Sequence, residues 1–187
     1  MVSKIKTCVF ISGNGSNLES IIKSSRDYSF PISIKLIISN NINARGLKIA
    51  KKNNIPFKFF SSKNISIFER NCLYEIKKSK IKFICLAGFM KLLSNNFIKS
   101  FKNKIVNIHP SLLPKYKGLN TYKRVSHNKD KYSGCTVHFV NGLLDSGKTV
   151  LQKKILIDEN DTEKSLKLKI LKLEHKLYPQ SIISLFK

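Results

Sequence analysis

The chain has 187 residues, 42% of them hydrophobic, and carries 35 Lys and Arg against 11 Asp and Glu, a formal charge of +24. That length and hydrophobic content suit one domain, residues 1–187, with a sizeable core, and exclude a wholly disordered chain. No apolar run reaches the roughly 18 residues of a membrane span, and the apolar stretch at Lys6–Ile11 gives way at once to Ser12-Gly13-Asn14-Gly15-Ser16, unlike a signal peptide.

Cys8, Cys72, Cys85 and Cys135 are scattered without a C-x-x-C pair. This argues against a zinc ribbon, a thioredoxin motif or a disulfide framework, and the expectation is a reduced, cytoplasmic protein. The excess of positive charge suggests a nucleic-acid partner at first sight. However, only Arg26, Arg45, Arg70 and Arg124 are arginine, the residue whose planar fork reads phosphate and base edges. Lys, Ile and Asn are abundant together and share A/T-rich codons, so base drift accounts for the lysines and a nucleic-acid partner is not expected. The positive field still favours small anionic substrates.

Along the chain, apolar runs at Ile5–Ile11, Ile34–Ile38, Ile81–Leu86 and Lys104–His109 read as buried strands, and Cys135–Val140 and Leu151–Ile157 add two more. Helices fall between them. Ser16-Asn17-Leu18-Glu19 has a capping-box pattern with Leu18, Ile21 and Ile22 on one face, and Ala44–Asn53 carries Leu47 and Ala50 on one side. Ser66-Ile67-Phe68-Glu69 repeats the box, followed by Cys72 and Ile76. A stripe of Leu166, Ile170, Leu173 and Leu177 begins after a cap at Asp161-Thr162. The alternation predicts an α/β fold: a mainly parallel, twisted, Rossmann-like sheet with helices on both faces. Ligands of such sheets sit beyond the carboxyl ends of strands, which directs attention to segments 12–17, 87–93, 107–118 and 141–147.

Ser12–Asn17 takes a strand through a glycine-rich turn into a helix. Such a turn offers backbone N–H groups and the helix's positive end to an anion, with Ser16 and Asn17 side chains as further donors. Leu18 breaks the dinucleotide fingerprint and no G-K-[ST] follows, so a phosphate cradle and a plain tight turn are the two readings. Asn107 and His109, two apart on a strand, leave the same face, with Val106 and Ile108 directed to the core and Pro110 ending the strand. An amide that can bind an oxyanion beside an imidazole that can move a proton suits acyl chemistry; a buried pair satisfied by backbone is the alternative. Asp145 reads as an ordinary Asx turn unless it faces His109, whose pKa it would then raise. His127 is expected in a polar loop, and His138 is expected to pack. No metal-ligand spacing occurs, so no catalytic metal is expected.

Taken together, Phe10–Leu18, Leu86–Met90, Asn107–Gly118, Thr136–Val140 with Leu144–Gly147, and Glu174–Pro179 resemble, in order and spacing, the phosphoribosylglycinamide formyltransferase family over nearly the whole chain. The resemblance implies a single domain of the formyltransferase fold. It also implies transfer of a formyl group from 10-formyltetrahydrofolate, as co-substrate, to the amine of glycinamide ribonucleotide through a tetrahedral intermediate, without a metal. By position, Asn107, His109 and Asp145 would be catalytic, with His109 kept charged by Asp145. Gly15, Ser16 and Asn17 would hold the substrate phosphate and Glu174 its ribose hydroxyls. Met90, Lys91, Leu92 and Leu93 would flank the folate, with Asn107, Asn141 and Leu144 opposite.

The chain departs from the family pattern in three ways. Lys91 stands where the family usually has Arg; a folate-side arginine before the Ser66 helix has no match near Lys63 and Ile65; and family members commonly continue beyond the Tyr178-Pro179 helix, whereas this chain is short at its carboxyl end. A formyltetrahydrofolate deformylase, a tRNA-directed formyltransferase relative and a basic nucleic-acid-binding module are the alternatives. The expected assembly is a monomer or homodimer, away from membranes.

Overall fold

In the computed structural model, which describes residues 4–187, the elements follow the order β1 (Ile5–Ile11), α1 (Ser16–Ser25), β2 (Ile32–Ser39), α2 (Arg45–Lys52), β3 (Phe57–Phe59), α3 (Ile65–Lys78), β4 (Phe83–Leu86), α4 (Asn95–Phe101), β5 (Lys104–His109), α5 (Thr121–His127), β6 (Tyr132–Phe139), β7 (Thr149–Leu156) and α6 (Glu163–Leu185). One seven-stranded sheet has the order β3-β2-β1-β4-β5-β6-β7. The pairs from β3 to β5 are parallel, and β5–β6 and β6–β7 are antiparallel. The predicted mainly parallel α/β sheet is what forms. Sequence reading missed the three-residue β3, the seven-residue α4 and α5, which occupies the stretch expected to be the polar loop of His127.

Burial on both faces explains the continuous apolar strands. Val9, Ile11, Ile37, Cys85 and Val106 pack on one face against Leu18 and Ile21 of α1, Ala50 of α2, Val125 of α5 and Leu166 and Ile170 of α6. Cys8, Phe10, Ile38, Ile84 and Ile105 pack on the other against Phe68 and Cys72 of α3 and Phe97 and Phe101 of α4. Phe10 meets Phe68, Phe89 and Phe97 edge-on, at centroid distances of 6.4, 5.3 and 6.1 Å, a favoured aromatic geometry.

The strand order reverses at β1, which lies between β2 and β4, so the crevice of this sheet opens beyond the carboxyl ends of β1 and β4. Two of the expected caps are corrected. Gly15, with φ 78°, is the N-cap of α1 and Ser16 lies inside the helix. Asn64 caps α3 by accepting from the Ile67 N–H, which frees Glu69 to accept instead from the backbone N–H of Ser94 at 2.6 Å. Glu69 thereby anchors the end of the loop after β4. The cap on α6 is as expected: Thr162 and Ser165 form a reciprocal capping box.

Candidate active site

Gly15 is required twice over. Its φ is in the left-handed region, and a Cβ there would sit 2.7 Å from the Cα of Gly46. The close approach lets the Gly46 N–H bond the Gly13 carbonyl at 3.1 Å and sets the turn at the amino end of α1. Within α1, Glu19 N–H already bonds Gly15 O, so the donors left for an anion are the earlier amides of the first turn. The Asn17 side chain, expected as a further donor, has its Nδ2 donating to Glu174 Oε2 at 2.7 Å.

Glu174 is brought to α1 by a peculiarity of α6. Pro179 lies inside that helix and has no N–H to offer the carbonyl of His175. Ser20 Oγ of α1 donates to that carbonyl instead, at 2.6 Å. Asn17 and Ser20, one turn apart, thus grip residues 174 and 175. Burial pushes the Glu174 carboxyl up to about 7, against the lowering effect of the Asn17 hydrogen bond.

The catalytic candidates converge on β5. Asn107 and His109 share one sheet face while Val106 and Ile108 lie in the core on the other, as the alternation requires. Asp145 joins them: its Oδ2 lies 3.2 Å from His109 Nδ1 and its Oδ1 accepts from Asn107 Nδ2 at 3.3 Å. Asp145 also accepts from the Gly118 N–H at 2.9 Å. The Asx turn in this loop is made by Asn141, whose Oδ1 accepts from Leu143 N–H at 3.1 Å. Asp145 itself, with φ 42°, faces inward and is buried.

The route to this meeting differs from the one expected. Because β6 is antiparallel, its carboxyl end lies level with the start of β5, where Val140 N–H bonds Ile105 O. The loop 141–147 therefore leaves at the opposite end of the sheet and folds back across the face of β5 and β6. A Cβ on Gly147 would lie 1.7 Å from Phe139 O, so only glycine closes that return.

His138, expected to pack, lines the site. It sits directly opposite Asn107 in the β5–β6 ladder, with Nε2 3.3 Å from Asn107 Nδ2 and 3.5 Å from Asp145 Oδ1. Its Nδ1 donates to Phe139 O at 2.9 Å, which fixes the ring. The antiparallel register is the signal that would have found it.

Opposing effects act on the charge of His109. Burial pushes its pKa below the ordinary imidazole value, although the Tyr116 carbonyl and Asp145 both pull it up. The ring Nε2 donates to Tyr116 O at 2.8 Å, leaving Nδ1 facing Asp145. A neutral ring between two acceptors can satisfy only one of them; a proton gained satisfies both. For Asp145, burial works upward, but the neighbouring His138 and His109 rings and the Gly118 N–H outweigh it and hold the carboxyl below its usual value.

The loop after β4 is tied to the glycine turn. Met90 N–H donates to Ser12 Oγ at 2.8 Å, and Ser12 Oγ donates to Asn40 Oδ1 at 2.6 Å. Met90, Lys91, Leu92, Asn141 and Leu144 are exposed around this opening, whereas Leu93 is buried beside Phe97, so its side chain is not available to a ligand.

The model of the formyl transferase family matches residues 5–182. A phosphoribosylglycinamide formyltransferase of Haemophilus influenzae is 41% identical over 180 residues, 93% of this chain and 84% of that one. The trifunctional purine biosynthetic protein adenosine-3 of Drosophila melanogaster is 38% identical over 185 residues, 96% of this chain, which spans only 14% of that relative's length. Among solved structures, the phosphoribosylglycinamide formyltransferase of Anaplasma phagocytophilum superposes with a TM-score of 0.91 at 36% identity, over 98% of this chain and 88% of that one. Glycinamide ribonucleotide transformylase 1 of Geobacillus kaustophilus gives 0.94 at 30% identity, over 99% and 100%. The sheet order, the Asn107–His109–Asp145 cluster and these likenesses agree: the chain belongs to the formyl transferase family.

Proposed function

We propose that the chain transfers the formyl group of 10-formyltetrahydrofolate to the amine of glycinamide ribonucleotide. The observation that carries this reading is the contact of His109 and Asn107 with one carboxylate, Asp145, at 3.2 and 3.3 Å. The glycine turn adds a second argument. It follows β1, two strands from β5, so roughly 10 Å of sheet separates a phosphate at Gly15 and Ser16 from a reacting amine at His109. A ribose fits that interval, with Glu174, held beside the glycine turn by Asn17, as the candidate for its hydroxyls. The exposed apolar side chains of Met90, Leu92 and Leu144 suit the flat face of a pteridine.

The residues divide the work as follows. The amine attacks the formyl carbon, and charge separates into an oxyanion and an ammonium group. The Asn107 amide, oriented by Asp145 and His138, offers an N–H to the oxyanion. His109 takes up the proton, because the charged ring has an acceptor at both nitrogens, Tyr116 O and Asp145. Return of a proton to the folate nitrogen releases the product. Holding both substrates in one crevice supplies orientation.

The test is spectrophotometric release of the folate product with glycinamide ribonucleotide as acceptor. His109→Ala should lower kcat/KM by on the order of 10²-fold or more. Unchanged turnover in that variant overturns the assigned role.

A further inference from the structure

Resting on that reading, we infer that the Asn17 side chain is a positioning residue: it holds the Glu174 carboxylate at the ribose end of the substrate site and does not itself bind phosphate. The two residues are 157 apart in sequence and are 7% and 3% exposed. The Asn17 amide turns its nitrogen to Glu174 at 2.7 Å and leaves its own oxygen buried without a partner. The amide orientation therefore favours donation to Glu174 over satisfaction of its own oxygen. What the arrangement secures is a hydrogen-bond donor for an ionised carboxylate that has no other.

The surroundings of Glu174 leave that task to Asn17. Tyr122 on α5, Cys135 on β6 and Tyr178 on α6 are the titratable groups near it, and none is a cation. His175, its neighbour on α6, interacts with Glu19. Among the described residues, Asn17 is the one hydrogen-bond donor to the Glu174 carboxylate. Ser20 fixes the adjacent carbonyl, so α1 is clamped to α6 on both sides of the contact. The helix whose first turn would receive the phosphate therefore also sets how far from it the carboxylate stands. The site measures the span from phosphate to ribose with one rigid element.

The two roles for Asn17 separate in substrates with and without the phosphate. Steady-state kinetics of the full chain would compare wild type, Asn17→Ala and the nearly isosteric Asn17→Asp, with folding checked by thermal unfolding. The acceptors are glycinamide ribonucleotide and its phosphate-free riboside, from pH 6 to 9. Asn17→Ala should weaken kcat/KM about tenfold, through KM with little change in kcat, and by the same factor for both acceptors; Asn17→Asp, whose added charge also repels a phosphate, is read on the riboside, where it should show the same loss. The pH below which the acceptor's KM rises should move upward in both, because Glu174 loses the bond that favours its ionised form. A penalty of Asn17→Ala on the ribonucleotide but not on the riboside makes Asn17 a phosphate ligand and overturns the inference, as does an unmoved pH midpoint. A wild-type chain that does not formylate glycinamide ribonucleotide overturns the functional reading first, and the inference with it.

Discussion

Replacing Glu174 by glutamine should stabilise the folded chain in neutral and alkaline solution while damaging its substrate site. A carboxyl with an ordinary value of 4.5 titrates here at about 7, and the side chain is 3% exposed. Between those values the folded protein keeps a proton that the unfolded chain has released. Stability therefore falls as pH rises through this window. The full cost, reached above pH 7, is about 3 kcal/mol, from roughly 1.4 kcal/mol for each tenfold change in proton affinity. Glutamine keeps an oxygen for Asn17 to donate to and never ionises. The variant should match wild type near pH 4.5 and exceed it increasingly up to pH 8, by about 6–12 °C in Tm for a domain of this size. Thermal unfolding of both proteins at constant ionic strength, at pH 5 to 9, measures it directly. A difference that does not change with pH, or a variant less stable at pH 8, would refute the reasoning.

Two further outcomes follow from the site. Asp145→Asn removes the group that pulls the His109 pKa up, so the acidic limb of the pH–rate profile should move to lower pH while the plateau falls on the order of 10²-fold; a profile within threefold of wild type would contradict the pairing. Gly147→Ala sets a methyl group against Phe139 O and should cost about 1–3 kcal/mol, with loss of activity comparable to that of the Asp145 variant because the loop carries Asp145; denaturant unfolding that shows no change would mean the return path is not constrained as described.

The sheet was legible because strands buried on both faces are written as unbroken apolar runs, and the crevice followed from their order. What escaped had weak or ambiguous local signals. In α4 only Phe97 and Phe101 are buried, and in α5 only Thr121 and Val125, too few to mark a helical face. Asn64 and Ser66 are both good caps two residues apart, and the choice depended on Glu69 reaching Ser94. That Asn107 and His109 share a sheet face was legible from their spacing, while a role for them came from the resemblance. His138 and the path of Asp145 were not legible, because both depend on β6 running antiparallel, and a chain that alternates strand and helix gives no local sign of that reversal. The downward push on the His109 pKa comes from burial, which a three-residue motif does not report.

The proline in α6 makes that helix incomplete by itself. The vacant carbonyl at His175 is filled only when Ser20 docks, so the middle of the last helix is finished by the first one. On the proposed function, recognition of the sugar phosphate would in this sense be assembled from the two extremities of the polypeptide. Trimming or loosening either extremity would blunt that recognition while the central strands still stood.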